Sequence, residues 1–324
     1  MKRRVLLTEE IHEGGIRLLR DSGYDVRMGT GIDESTLLRE IQDCDAVLTR
    51  NAVISERIMR AAPRLKVIAM HGVGVDNIDV DAATALNIQV VNAADSNKNS
   101  VAEYTIALIL NLAKRIPLYH EELRKGNWSI RKTIGADVAG MTLGIIGMGN
   151  IGSLVAQKAA LGLGMRVLAY KRNLSHSVPV AHVEYTNQLD KVIREADYLT
   201  LHIPGSAATA KLIGARELSL MKPTACLINT ARGEVVDEEA LYEALSSHRI
   251  AGAAIDVFVG GVPAPDHPLF GLDNVLVSPH TAAFAAQSVE RMALHSALGV
   301  DEVLSGRKPS WPVNTLTEVG KLCV

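Results

Sequence analysis

The sequence has few cysteines, almost no net charge and no long apolar run, and each shortage excludes a class of protein. Its 324 residues include only three cysteines, Cys44, Cys226 and Cys323, whose wide spacing matches neither a metal site nor a disulfide framework. We therefore expect free, buried thiols in a reducing cytoplasm. The formal net charge of −2 provides no basic field for nucleic acid and no polybasic membrane anchor.

Hydrophobic segments are too short to span a membrane. The most apolar stretch, residues 104–113, falls well short of the ~20 residues that a transmembrane helix needs. The basic start of the chain meets Glu9 and Glu10 before the core of a signal peptide could form. We find no internal repeat and no low-complexity tract. A chain of this length, 48% hydrophobic, instead fits two globular domains, each able to bury a core.

A glycine motif between a strand and a helix is the first positive signal. Residues 143–146 predict a buried strand, the pattern G-x-G-x-x-G follows at 147–152, and apolar residues at helical spacing come next. Gly147 would allow the tight turn, Gly149 the approach of a pyrophosphate, and Gly152 the close packing of helix against strand. The N-terminus of the helix would then bind the phosphates. In this context the motif predicts dinucleotide binding.

The second strand of this unit ends without an acid. An NAD site usually has a carboxylate there, about 20 residues after the glycines, which accepts hydrogen bonds from the ribose hydroxyls. Here the segment reads Lys171, Arg172 and Asn173. Two cations at this place favour NADP(H), because they pair with a 2′-phosphate through charge-assisted hydrogen bonds. NAD(H) is the alternative, with the two cations as a solvated basic turn.

Strand and helix patterns alternate along the chain, which predicts an α/β fold with parallel sheets. Helices are predicted to start at the caps Asp33, Ser55 and Asp237, and a long helix is predicted for residues 100–116.

Predicted strand ends, where open sheets of this kind bind ligands, carry Arg232, Asp256 and His280. An arginine can bind a substrate carboxylate and polarise a carbonyl group. A histidine can exchange a proton with the carbonyl oxygen. The competing interpretations are a surface salt bridge for Arg232 and a structural role for His280.

In the order of its motifs the sequence resembles the D-isomer-specific 2-hydroxyacid dehydrogenases, the family of phosphoglycerate dehydrogenase and glyoxylate/hydroxypyruvate reductase. The matching segments are 72–79, 100–103, 147–152, 202–204, 229–233, 252–258 and 278–280. The resemblance implies two Rossmann-like or flavodoxin-like parallel-sheet domains with a deep cleft between them. Residues 1–99 plus 285–324 would form a discontinuous substrate-binding domain, and residues 100–284 the dinucleotide-binding domain.

The resemblance also implies roles for individual residues. Arg232 and His280 would be catalytic in hydride transfer between a nicotinamide cofactor and a D-2-hydroxyacid/2-ketoacid pair. The backbone N–H groups of Val73 and Gly74 would hold the substrate carboxylate together with Arg232. Arg50 is a separate inference from its place at a predicted strand end: it could meet a second anionic group, and the alternative is a solvated surface charge. The remaining cofactor contacts would come from Gly147, Gly149, Asn150, Ile151, Gly152, Lys171, Arg172, Asn173, His202, Pro204, Thr230, Ala231, Asp256 and His280.

One family feature is missing. In the family a glutamate soon after the segment that ends at Phe258 binds the catalytic histidine, but Gly261 occupies that position here. Two alternatives therefore stay open: a larger or phosphorylated sugar acid as substrate, and a non-catalytic scaffold that senses NAD(P)(H). Retention of both Arg232 and His280 argues against the scaffold. The segment 117–140 is similar to the arm by which family members dimerise, so we expect a cytoplasmic homodimer.

Overall fold

The alternating sequence patterns form parallel strands and intervening helices in a computed structural model that describes residues 2–174 and 180–316. The described strands are Arg4–Leu7 (β1), Asp25–Met28 (β2), Ala46–Thr49 (β3), Val67–Met70 (β4), Gln89–Val91 (β5), Thr142–Ile146 (β6), Arg166–Tyr170 (β7), Val183–Thr186 (β8), Tyr198–Leu201 (β9), Cys226–Asn229 (β10), Gly252–Ile255 (β11) and Val275–Val277 (β12). The described α-helices are Glu13–Asp21 (α1), Glu34–Glu40 (α2), Glu56–Arg60 (α3), Val80–Ala85 (α4), Lys98–Lys114 (α5), Ile116–Arg124 (α6), Asn150–Gln157 (α7), Leu189–Glu195 (α8), Ala215–Leu220 (α9), Glu238–Ser246 (α10) and Ala286–Leu304 (α11).

Unit 1 is the first of two compact units in the chain. It contains the described residues up to Asn97 and those from Phe284 onward. Its sheet is parallel throughout, in the order β2-β1-β3-β4-β5, which is the flavodoxin-like order. The end of the described chain returns to this sheet, because the Val313 N–H donates to the Val90 carbonyl at 2.8 Å and the Asn314 side chain accepts from the Val90 N–H at 2.7 Å. These bonds explain why unit 1 is discontinuous in sequence.

Unit 2 runs from Lys98 to Ala283 and contains the glycine motif. Its sheet is also parallel throughout, in the order β12-β11-β10-β9-β6-β7-β8. The chain winds outward from β6 to β8 and then returns to pair β9 with the other side of β6. This reversal of strand order marks the switch point at which doubly wound sheets bind ligands. The predicted fold class, two parallel-sheet α/β units, is confirmed.

Local signals placed several helices correctly. The predicted caps Asp33, Ser55 and Asp237 accept hydrogen bonds from the backbone N–H three residues later. The long helix predicted for residues 100–116 instead ends at Lys114, because Arg115 has a left-handed backbone with φ of +52°. Burial raises the pKa of the Cys44 and Cys226 thiols to about 11 each, and both are free. No helix in the described part of the chain is long and apolar enough to cross a membrane.

Candidate active site

The predicted site residues of unit 2 follow the carboxyl ends of neighbouring strands. His280 comes after β12, Asp256 after β11, Arg232 after β10 and His202 after β9, and residues 147–152 follow β6. Parallel neighbours lie about 4.8 Å apart in a sheet. Arg232 and His280 therefore emerge two strands apart from one edge of the same sheet that carries the glycine turn.

The glycine turn has the geometry of a phosphate cradle. Gly147 has a φ of +103°, and a Cβ there would lie 2.3 Å from the His202 carbonyl oxygen. A Cβ at Gly152 would lie 2.0 Å from the Gly147 carbonyl oxygen, whereas one at Gly149 would meet no atom within 4 Å. Two of the glycines are thus needed for close backbone packing, and the third leaves open space at the start of α7. The residues present fit a dinucleotide, because the N-terminus of a helix binds phosphate groups through its backbone N–H groups and its dipole.

The end of β7 carries the two cations that the sequence indicated. Lys171 is half-buried and its N–H donates to the Thr186 carbonyl at 2.9 Å, while Arg172 and Asn173 are exposed. No acid stands among these three residues. Because β7 is the neighbour of β6, this basic pair follows the strand beside the glycine turn.

His202 is a neutral ring in the folded protein. Burial lowers its pKa to about 3, and its Nε2 lies 3.1 Å from the Thr200 hydroxyl. The backbone N–H of His202 donates to the Ile146 carbonyl at 2.8 Å, which holds the segment before Pro204 against the end of β6. His202 therefore fills space at this edge of the sheet without adding a charge.

The segment after β10 is held by Asn229, a role that the sequence did not indicate. The buried Asn229 side chain accepts from the Ala231 N–H at 3.0 Å and donates to the Arg232 carbonyl at 2.9 Å. A Cβ at Gly233 would lie 2.1 Å from the Phe258 carbonyl carbon, so this glycine lets the segment touch the one after β11. Thr230, Ala231 and Arg232 thus share one turn whose backbone is fixed from both sides.

Asp256 organises the segment that carries His280. It is fully buried, and its carboxylate accepts from the Ser278 hydroxyl and from the backbone N–H groups of Thr281 and Ala282, at 2.9 and 3.0 Å for the last two. Its carbonyl accepts from the His280 N–H at 2.8 Å. His280 itself is exposed and has a left-handed backbone with φ of +54°. Asp256 therefore holds the turn that carries His280 in place.

The position of the missing family glutamate lies in a glycine turn. The Gly261 N–H donates to the Phe258 carbonyl at 3.1 Å, and Gly261 has a φ of +91°. A glutamate on this backbone would be strained. Glu238, which the sequence did not single out, is an acid that contacts this turn. Its carboxylate accepts from the Val259 N–H at 2.8 Å and lies 3.5 Å from His267 Nε2. Glu238 therefore anchors the turn through its backbone and through His267.

In unit 1 the loop of residues 72–74 presents backbone N–H groups. The Gly72 carbonyl accepts from the Ala93 N–H at 2.7 Å, and the Val73 carbonyl accepts from the Asn92 side chain at 2.8 Å. Within the described ranges the N–H groups of Val73 and Gly74 donate to no protein acceptor. The loop is thus fixed through its carbonyls, with its donors left for another group.

Arg50, also in unit 1, is held by aromatic and backbone contacts. Its guanidinium carbon lies 4.6 Å from the centre of the Phe284 ring. The backbone N–H groups of Arg50 and Asn51 donate to the Glu9 carboxylate at 3.0 and 2.7 Å. The Arg50 side chain has no carboxylate partner in the part of the chain that is described. A guanidinium without a carboxylate partner can bind a further anionic group.

His71 is a buried imidazole, and we expect it to make the protein acid-sensitive. Both ring nitrogens lack a hydrogen-bond partner among the described residues, and burial, with a smaller effect of Arg50, lowers the pKa to about 4. Unfolded chains protonate histidine near pH 6.5, so the free energy of unfolding falls as the pH drops from 6.5 to 4. The fall is about 3 kcal/mol, since one pKa unit corresponds to about 1.4 kcal/mol. Urea unfolding at pH 7 and pH 4.5 measures how far the free energy of unfolding falls with pH. The fall should be smaller in His71→Leu than in the wild type, and an equal fall in both proteins would contradict this role of His71.

Comparisons with known proteins show the family to which the chain belongs. A model of the NAD binding domain of D-isomer specific 2-hydroxyacid dehydrogenases matches residues 106–282, more than half of the chain. The chain belongs to this family. A glyoxylate reductase from Thermococcus onnurineus is 37% identical to this chain. The alignment covers 97% of this chain and 96% of the reductase. The resemblance seen in the sequence motifs is thereby confirmed.

Two further relatives define how far the similarity extends. A D-3-phosphoglycerate dehydrogenase from Methanocaldococcus jannaschii is 38% identical over 96% of this chain but only 59% of its own length. The chain spans 53–59% of the length of the archaeal phosphoglycerate dehydrogenases it matches. The NADPH-dependent glyoxylate/hydroxypyruvate reductase of Sinorhizobium meliloti, solved with NADP and malonate, superimposes with a TM-score of 0.87 at 28% identity. That superposition covers 97% of each chain.

Proposed function

We propose that the protein is an NAD(P)-dependent 2-hydroxyacid dehydrogenase that interconverts a D-2-hydroxyacid and the corresponding 2-ketoacid. The observation that carries the proposal is the position of Arg232 and His280 at the same sheet edge as the glycine turn, in a chain of this family. In this proposal unit 2 is the dinucleotide-binding domain, and unit 1 is the substrate-binding domain.

The proposed chemistry divides between Arg232, His280 and the loop of unit 1. Arg232 binds the substrate carboxylate and polarises the carbonyl at C2. Val73 and Gly74 supply N–H groups for the same carboxylate. His280 donates a proton to the carbonyl oxygen in reduction and removes it in oxidation. A bound nicotinamide supplies or accepts the hydride at C2.

The test is absorbance at 340 nm while the protein is offered glyoxylate, hydroxypyruvate and longer 2-keto acids, with NADPH and NADH in parallel. Oxidation of either cofactor with at least one acid supports the proposal. No oxidation across the panel, with dinucleotide binding retained in calorimetry, would favour the non-catalytic scaffold.

A larger or phosphorylated sugar acid is the second candidate substrate. The Arg50 guanidinium, stacked on Phe284 without a carboxylate partner among the described residues, favours it. Comparing hydroxypyruvate with its 3-phosphate separates the two candidates. A preference for the phosphate that disappears in Arg50→Met would support the second, whereas equal rates on both would support the first.

For the cofactor we propose a preference for NADP(H), supported by Lys171 and Arg172 at the end of β7. We expect Arg172→Ala to lower the kcat/KM for NADPH by at least about tenfold, because it removes a charge-assisted hydrogen bond. The value for NADH should hardly change. Arg194→Ala removes an exposed cation of the same unit from the end of α8 and is the matched control. A wild-type preference for NADH would contradict the proposal.

We also propose a homodimer formed through the segment 117–140. Leu123, Trp128 and Ile134 in this segment are exposed by 52%, 65% and 82%, which is unusual for large apolar side chains. Trp128→Glu should weaken dimerisation by at least about tenfold in light scattering over a dilution series. Tyr242→Glu changes an exposed aromatic residue on α10 and should leave the mass unchanged. A monomeric wild type would overturn the proposal.

A further inference from the structure

A cavity of about 490 Å³ lies in unit 1 beside the amino ends of β1, β2 and β4. Its lining includes four basic side chains, those of Lys2, Arg4, Arg20 and Arg64, and a single acidic one, that of Asp25. They come from the segment that enters β1, the last turn of α1, the start of β2 and the turn before β4. A volume of this size can hold a small metabolite. The excess of positive charge among the lining side chains favours an anion.

The cavity is separate from the candidate active site. The loop of residues 72–74 and Arg50 follow the carboxyl ends of β4 and β3, whereas the cavity lies at the amino ends of the same parallel sheet. The strands β1, β3 and β4 have four residues each, which span about 13 Å. The two edges therefore face in opposite directions, and a ligand in the cavity would occupy a site of its own.

Two of the cations, Arg4 and Arg64, are held in place by acids. The Arg4 Nε donates to the Asp25 carboxylate at 2.9 Å, and its Nη1 contacts Asp43. Arg64 binds Asp45 along one edge of its guanidinium, from Nε at 3.4 Å and from Nη2 at 2.6 Å. A guanidinium has five N–H donors, and the Nη1 group of Arg64 donates to no acceptor among the described residues. One edge of a fixed guanidinium thus remains for a ligand.

The other two cations, Lys2 and Arg20, are exposed and weakly engaged. Lys2 forms no ion pair within the part of the chain that the structure describes. The Arg20 Nη1 lies 3.8 Å from the Glu13 carboxylate, and the two side chains are 60% and 59% exposed. An ion pair that is this open contributes little to stability. Both cations can therefore turn toward an anion without breaking a strong internal bond.

The rest of the lining offers no competing donor. The Tyr24 hydroxyl donates to the Asp301 carboxylate at 2.8 Å, and burial together with this bond raises the pKa of Tyr24 to about 12. Its proton is therefore already engaged, and the ring forms a wall of the cavity beside the apolar Val26. Among the lining side chains, the four cations are thus the groups that can donate to a ligand.

We propose that this cavity binds a small anion with at least two negative charges, a phosphate ester or a polycarboxylate. Lys2 and Arg20 pair with the anion, and the remaining edge of Arg64 donates to it. A dianion can pair with Lys2 and Arg20 at once, whereas a monoanion can pair fully with only one of them. The site requires neither the dinucleotide nor the ketoacid of the proposed function.

The experiment measures dissociation constants by calorimetry for inorganic pyrophosphate and for citrate, with acetate as the monoanion. Low ionic strength is used because salt screens exposed charges. We expect binding of pyrophosphate, of citrate or of both, and at least about tenfold weaker binding of acetate. A double variant, Lys2→Gln with Arg20→Gln, should weaken the dianion at least about tenfold, because two charge-assisted hydrogen bonds are lost. Binding of pyrophosphate alone identifies a phosphate site, and binding of citrate alone a polycarboxylate site.

A variant with the opposite sign and a matched control locate the binding. Asp25→Asn removes the single acid that lines the cavity and keeps its shape, so it should tighten binding about two- to fivefold. Arg17→Gln removes an exposed cation of α1 that does not line the cavity, and it should leave the dissociation constant unchanged. Thermal unfolding by circular dichroism reports folding for each protein.

Two further variants exclude the other proposed anion sites. Arg232→Met in the proposed substrate site and Arg172→Ala in the proposed cofactor site should bind the probe like the wild type. Binding that is weakened in the folded double variant and tightened in Asp25→Asn would support the proposal. Absence of binding of both probes by the wild type would overturn it, as would an unchanged double variant or an equal loss in Arg17→Gln, Arg232→Met or Arg172→Ala.

Discussion

Replacing His280 with asparagine lowers kcat for ketoacid reduction by about 10²- to 10⁴-fold, the usual contribution of general acid–base catalysis. Asparagine can still form a hydrogen bond to a carbonyl oxygen but cannot deliver a proton to it. It is also one of the few residues that tolerate the left-handed backbone found at this position, with φ of +54°. The side chain is exposed, so folding should not depend on it. The loss should therefore appear in kcat, with the dissociation constant for the dinucleotide nearly unchanged.

His248→Asn provides a closely matched control. His248 belongs to the same unit, is exposed and has a φ of +53°, but it follows α10 rather than the carboxyl end of a strand. The two variants therefore make the same chemical change on the same backbone conformation at opposite ends of the sheet. Similar kcat values in both variants would remove His280 from the proposed mechanism and would favour a binding role for this edge.

The sequence predicted those parts of the fold that depend on short-range patterns. The glycine turn was identified because Gly147, Gly149 and Gly152 stand at a fixed spacing between one strand and the helix that follows it. Caps such as Asp33 were identified for the same reason, since the side chain bonds to the backbone three residues later. The strand β8 was not predicted: it has only four residues, Val183–Thr186, and an alternation of polarity over four residues is too short to stand out. Short edge strands carry a weak signal of this kind.

Residues that act across long sequence separations were not predicted. Glu238 meets Val259 and His267, and Thr105 meets Thr230, only because the fold packs α10 and α5 against segments that follow distant strands. The motif at 229–233 drew attention to Arg232, yet the residue that holds its backbone is Asn229, for which no periodicity provides a signal. A polar residue at the last position of a buried strand is the feature that would have indicated it.

The same limit explains Asp256. The sequence resemblance implies a contact with the cofactor, which stays a prediction, whereas the fold gives this carboxylate three donors from the His280 turn. Those donors lie 22 to 26 residues later in the chain. Sequence reasoning could place Asp256 at a strand end but could not assign these partners. The distinction matters, because a positioning role predicts a loss of stability together with the loss of activity.

Asp256→Asn should lower the free energy of unfolding of the protein by about 2–4 kcal/mol, since at least one buried donor loses its acceptor. Asparagine has the same shape as aspartate, so packing is preserved. If its oxygen faces the Ser278 hydroxyl and the Thr281 N–H, its NH₂ group is directed at the Ala282 N–H. In the reverse orientation the NH₂ group is directed at the Thr281 N–H, although the Ser278 hydroxyl can then accept from it. Both orientations oppose a donor to a donor. The turn that carries His280 should therefore loosen, and kcat should fall with it.

Graded variants decide whether this network or the charge alone is responsible. Ser278→Ala removes one donor but leaves the carboxylate in place, so it should cost only about 1 kcal/mol. Asp237→Asn makes the same substitution at the N-cap of α10, where asparagine caps as well as aspartate, and should be nearly neutral. Urea unfolding and kcat measured together on the three proteins test the order. If Asp256→Asn unfolds like the wild type, the carboxylate is not what holds the His280 turn, and its contribution must come from contact with the cofactor.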